Sequence, residues 1–247
     1  ILLMAVYALP VSPMKENIAR SSDVFNIQGL YPRLVPTYNN TQLDNVTDAL
    51  MLATAIYPAH DGTGIAEEAL HGYRYELEGE DMPMSLTKYA NDANDIKAIY
   101  QKSYERFWNG YLVYLKPLLC VFDYGDILVL NVAAQLAIAG LLIYLAVKKN
   151  MDAFLPAFLA MLITIFWPSI MLSLQYSSVF YITLLFSVYL LYRFPQKISP
   201  YTFFILGIVT CYMDLLTYPM FTLGIPLVLY AYVNTDMSGI RKIADVL

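Results

Sequence analysis

Residues 126–147 read DILVLNVAAQLAIAGLLIYLAV, and Lys148 and Lys149 follow at once. After Asp126 no charged side chain interrupts the run. About 20 apolar residues, each rising about 1.5 Å in a helix, match the roughly 30 Å hydrocarbon core of a bilayer. The stretch therefore predicts a membrane-spanning helix over 126–147. Four further apolar stretches follow, and they predict helices over 153–174, 177–194, 200–218 and 219–233. Pro156 and Pro168 interrupt the first of these, and Gly224 and Pro226 interrupt the last. None shows the polar face of an amphipathic core helix.

Composition points the same way. The 247 residues are 58% hydrophobic, mean hydropathy is +0.50, and 14% are charged. An ordinary soluble domain carries roughly 25% charged residues. The net charge of −5, with no basic stripe, argues against a nucleic-acid partner. Cys120 and Cys211 lie in apolar surroundings and predict free thiols instead of a disulfide framework. Residues 1–9, ILLMAVYAL, read as the end of a first transmembrane helix, so the sequence is expected to be a fragment of a longer chain.

Lys and Arg sit in alternate loops of the apolar half: Lys148 and Lys149, then Arg193 and Lys197, then Arg241 and Lys242. Basic loops favour the cytoplasm. This pattern places 234–247 in the cytoplasm and 10–125 outside it, as a large helical loop in the plasma (inner) membrane protein. Gln175, Asp214 and Tyr218 then lie near the outer face. Within the loop a helix is expected from Thr41 or Asp44 to Tyr57, and a second from about Asn91 through DIKAIYQKSYERF. FWNGYLVYLKPLL (107–119) is expected to lie at the membrane interface through Trp108, Tyr111 and Tyr114.

The outer loop also holds the residues best suited to chemistry. In LDNVTDALML (43–52), Asp44 and Asp48 are four apart and share a helical face. Like charges at that spacing repel unless a ligand offsets them, and a carboxylate there can act as general base toward a hydroxyl. The structural alternative is capping, because acids favour the first turn of a helix. Asp214 lies within an apolar helix, where an ionisable group is costly and suggests a function; Arg106 is a possible partner for it. Gln175, Tyr176 and Tyr218 could bind a polar head group. Lys15, Arg20, Arg33, Arg106 and Lys116 could bind phosphate, although an interfacial Lys more often snorkels. His60 and His71 lack the spacing of a metal site; no cofactor is predicted, and use of a divalent metal stays open.

The layout, together with LDNVTDALML, FWNGYLVYLKPLL, LQYSSVFYI (174–182) and MDLLTYPMFTLGIPLVLY (213–230), resembles the GT-C membrane glycosyltransferases. The resemblance extends to a group of bacterial glycosyltransferase-like membrane proteins. It implies an all-α integral membrane bundle and an inverting transfer from a polyprenyl-phosphate-linked sugar to an envelope glycan or lipid. A carboxylate of the first outer loop would serve as base, and basic residues would bind the lipid phosphate. Family members often carry paired acids directly after the first helix, where this chain has only Glu16. The base therefore remains open between Glu16, Asp44 and Asp48. A lipid or polysaccharide transporter and a non-enzymatic envelope assembly protein are the competing classes.

Overall fold

The computed structural model describes residues 1–58, 64–92, 99–151, 153–195, 198–199, 201–215 and 217–233, and its architecture is mostly helical. The first half is built from short pieces: α1 (Leu2–Tyr7), α2 (Val11–Ser21), α3 (Asp23–Gln28), α4 (Asn45–Ala55), α5 (Ile65–His71), α6 (Met82–Ala90) and α7 (Leu112–Leu119). Between them lies an antiparallel ribbon of β1 (Arg74–Leu77) and β2 (Ile99–Lys102), with Arg74 opposite Lys102. The second half is α8 (Tyr124–Lys148), α9 (Phe154–Thr164), α10 (Trp167–Met171), α11 (Leu174–Arg193), α12 (Tyr201–Met213) and α13 (Pro219–Val233).

Side-chain caps fix several starts. Asp44 precedes α4 and accepts the Thr47 N–H at 2.9 Å. Asp81 and Asp123 do the same for α6 and α8, at 2.8 and 2.9 Å. Each oxygen satisfies a donor that the helix itself leaves free. The capping prediction at the start of α4 is thus met.

Two apolar cores result. One is formed by α1–α7 with the first turns of α8 and α11, centred on Met14, Ile18, Leu52, Ile56, Leu112 and Leu115. The other lies among α8–α13, around Leu142, Phe180, Leu184, Leu190 and Leu206. Gly110 joins the two halves. Its N–H bonds the Tyr212 carbonyl at 3.0 Å, and a Cβ there would stand 2.2 Å from that oxygen. Only glycine permits so close a backbone approach.

α8 and α11 are long and apolar enough to cross a membrane; α9, α12 and α13 are apolar but shorter. Large apolar side chains stand open on all five, among them Val129, Ile163, Leu185, Phe204 and Val228. Those faces are suited to lipid. The stretch 153–174, expected as one helix, is two: Phe166 adopts a left-handed conformation (φ 50°), and Pro168 starts α10. A left-handed turn at a bulky residue and a ring that cannot donate an N–H both interrupt the helix.

Two expectations for residues 10–125 change. The region after Asn91 carries β2, while 93–98 lie outside the described residues. α7 does not lie on a surface: Tyr111, Leu112, Leu115 and Lys116 are buried against α1, α2 and α4. Trp108, just before it, and Pro117 within it are exposed. Two charged residues of this half, Glu68 on α5 and Arg74 on β1, are also buried.

Candidate functional site

A cleft of about 380 Å³ opens where the first half of the chain meets the apolar helices. One wall is Asn39, Asn40, Gln42, Leu43 and Asp44. The opposite wall comes from the α9–α10 break (Ile165, Ser169, Ile170), α11 (Tyr176, Phe180) and the start of α13 (Tyr218, Phe221). The first wall belongs to a narrow hairpin between α3 and α4. Leu34 N–H bonds Thr41 O at 3.1 Å, Leu43 N–H bonds Pro32 O at 2.8 Å, and Asn45 N–H bonds Leu30 O at 3.1 Å. Thr41 Oγ donates across the turn to the Tyr38 carbonyl at 2.8 Å. Arg33 stands opposite Gln42 in this hairpin.

The two acids of LDNVTDALML separate in role. Asp44 is half-buried and lines the cleft. Its second oxygen also accepts the Thr47 hydroxyl at 2.8 Å. A carboxylate has about four acceptor positions, so capacity remains for a ligand hydroxyl. Asp48 is fully enclosed and does not line the cleft. It accepts the Leu174 and Gln175 N–H groups, each at 3.0 Å, the Ser173 hydroxyl at 3.2 Å and the Tyr124 hydroxyl at 2.8 Å. It is therefore the N-terminal cap of α11, supplied from 126 residues away, and it uses the positive end of that helix dipole. Burial pushes its carboxyl up to about 6, although all four hydrogen bonds favour the ionised form. The expectation that both acids present one catalytic face is corrected: Asp44 sits outside the helix as its cap, while Asp48, one turn on, faces α11.

Glu16 is exposed on α2, takes a hydrogen bond from Ser12 at 3.3 Å, and stands apart from the cleft lining. Lys116 is not interfacial. It is wholly buried, donates to the Ala55 carbonyl at 2.6 Å and stands 4.9 Å from the Tyr7 ring centre. Ala55 ends α4, so Lys116 caps that helix's C-terminus. Burial lowers its ammonium to about 8, and nearby Cys120 and Glu68 partly offset the fall. Arg106 is exposed and lies over the Phe107 ring at 5.3 Å; it does not line the cleft.

Asp214 is buried and folds back on its own chain, accepting the Thr217 N–H at 2.9 Å. This turn presents Tyr218, whose ring lies 5.5 Å from that of Tyr176. Both rings line the cleft. Gln175 sits beside it, with its Oε1 buried and without a hydrogen-bond partner among the described residues. Of the sequence-predicted residues, the fold thus brings Asp44, Tyr176 and Tyr218 to one place, with Gln175 and Asp214 adjoining in sequence. His71 pairs with Glu105 at 2.5 Å, and His60 lies outside the described residues. Among the described residues no cluster of His, Cys, Asp and Glu is arranged to hold a metal ion.

Asn39, Asn40 and Gln42 were not singled out from the sequence as cleft residues. The signal was a run of amides immediately before a helix cap. A second polar cluster, among apolar helices, is closed on itself. Asn131 bonds the Met171 carbonyl at 2.7 Å, Tyr181 and Gln135 both bond Asn131, and Trp167 bonds Gln135 at 3.0 Å. It ties α10 to α8 and α11.

No family model matches the chain, and neither a curated protein nor a solved structure matches it.

Proposed function

We propose that the chain is a multi-pass membrane glycosyltransferase of GT-C-like architecture, which moves a sugar from a polyprenyl-phosphate carrier to a hydroxyl acceptor in this cleft. The observation that supports it is the lining itself. A half-buried carboxylate, three carboxamides and a pair of tyrosine rings face one another where a polar segment meets apolar helices. Carboxamides and a carboxylate bind sugar hydroxyls, and aromatic faces stack on the apolar face of a pyranose ring. Asp44 accepts the proton of the acceptor hydroxyl, whose oxygen attacks the anomeric carbon; polyprenyl phosphate leaves with the bonding electrons, inverting the centre. Arg33, across from Gln42, is the cation set to meet the phosphate, in place of Arg106 or Lys116.

In this reading the cleft faces outward and the basic loops face the cytoplasm. The test is transfer from polyprenyl-phosphate sugars by the full-length protein in vesicles, wild type against Asp44→Asn at equal folded amounts. Loss of transfer of at least about 100-fold is expected, the usual scale for a general base. Full activity in Asp44→Asn would sink the assignment.

A further inference from the structure

The end of α3 and the hairpin that walls the cleft also carry exposed apolar side chains. Ile27, Leu30, Tyr31, Leu34 and Tyr38 are all exposed, Ile27 at 84% and Tyr38 at 62%. Single exposed apolar residues are ordinary on any protein. Five within a twelve-residue stretch are not, because such patches mark contact surfaces. The depth of the hairpin indicates what they contact. α11 is 20 residues long, about 30 Å, and so matches the hydrocarbon core from end to end. Its first residue, Leu174, then marks one membrane boundary. Phe180, six residues further and about 9 Å deeper, shares the cleft with Asn39, Asn40, Gln42 and Asp44. Asp48 bonds Leu174 itself, so Asp44, one turn earlier, and the far strand that ends there lie within about 6 Å of the boundary, and the near strand is bonded to that strand through Leu34, Pro32 and Leu30.

We infer that residues 27–38 form a lip inserted into the lipid interface, with Ile27, Tyr31, Leu34 and Tyr38 in contact with the headgroup and upper acyl region of the bilayer. Tyrosines suit that layer, where one end of the ring is wet and the other apolar, and Arg33 suits the phosphate level. The backbone requirement is met as well. The Leu34, Leu43 and Asn45 N–H groups are bonded across the hairpin, and the remaining backbone groups suit the hydrated headgroup layer, where water can bond them. The cleft mouth then lies beside lipid, and a ligand carried on a lipid tail reaches it sideways without leaving the membrane. The inference rests on the membrane reading of α8 and α11 and is independent of the sugar-transfer chemistry.

The experiment uses the full-length protein with Cys120→Ser and Cys211→Ser, reconstituted in phosphatidylcholine and phosphatidylglycerol vesicles. Tyr31→Cys and Leu34→Cys are labelled separately with an environment-sensitive fluorophore. Quenching is read with spin-labelled lipids and with aqueous iodide. Glu78→Cys, in the exposed turn after β1, is the water control; Phe204→Cys, on the open face of α12, is the lipid control. Lipid quenching at Tyr31 and Leu34 close to that at Phe204, with iodide quenching several-fold below that at Glu78, is expected. Iodide access equal to Glu78 overturns the inference. Shielding from both quenchers also overturns it, because a protein surface would then cover the lip. Iodide access at Phe204 as well would remove the membrane reading along with it.

Discussion

Asp48→Asn separates a structural carboxylate from the proposed base, Asp44. In the wild type each oxygen takes one hydroxyl and one backbone N–H: Oδ1 serves Ser173 and Gln175, Oδ2 serves Tyr124 and Leu174. An amide nitrogen in either position faces a backbone N–H that cannot turn away. One buried donor then lacks an acceptor, at a cost of about 1–3 kcal/mol. Against this stands the cost of burying a charge. The carboxyl rises from 3.8 to about 6, roughly two units, which is about 3 kcal/mol. The sign follows from proton binding. Between pH 3.8 and about 6 the folded state holds a proton that the unfolded state has lost, so this group's contribution to stability falls as pH rises through that window. The variant has no such loss. It should be about 1–3 kcal/mol less stable than wild type near pH 4 and no less stable above pH 7. Unfolding in detergent, followed from pH 4 to 8, measures the gap. A gap that widens with pH would refute the reasoning, since the four donors would then outweigh burial. Transfer activity of the variant at pH 7.5 should stay within a few-fold of wild type, because Asp48 does not reach the cleft.

Other perturbations test the remaining contacts. Asp44→Asn keeps a good N-cap, so stability should move by only a few tenths of a kcal/mol, roughly the difference between two favourable caps, while transfer is lost. Thermal unfolding and activity on one preparation decide this. Gly110→Ala drives a methyl into the Tyr212 carbonyl and breaks their hydrogen bond; about 1 kcal/mol for the bond and about 1–3 for overpacking give about 2–4 kcal/mol of destabilisation in the same unfolding assay. Lys116 has its folded value depressed from 10.5 to about 8, so its contribution to stability rises with pH between those values. Lys116→Met should remove that rise of about 3 kcal/mol, and identical pH profiles for the two proteins would count against a buried ammonium.

Runs and caps were the legible part of the sequence. Residues 126–147 announce α8 by apolar length alone, and the acid before an apolar run announces the start of α4 at Asp44. Both signals are local, which is why they can be read without the fold. Partners distant in sequence could not be read. Asp48 is bonded across 126 residues and Lys116 across 61, and nothing in the spacing of either residue names its partner. Both therefore looked like ligand-binding charges, when they close the ends of helices. The break at Phe166 was half visible, through Pro168, but the left-handed turn depends on packing and on the Asn131–Gln135–Trp167 contacts that hold α10 in place. The cleft was visible only as scattered polar letters. Tyr176 and Tyr218 stand 42 residues apart in the chain and come together because α11 and α13 pack side by side.

The cap on α11 also bears on how the chain is assembled. During synthesis α4 emerges well over a hundred residues before Leu174. The first N–H groups of α11 thus meet an acceptor already made, but only if α4 has folded by then. A nascent chain in which α4 is misplaced carries bare donors at the head of an apolar helix. A single side chain in the first half in this way makes the start of α11 depend on the order in which the chain folds.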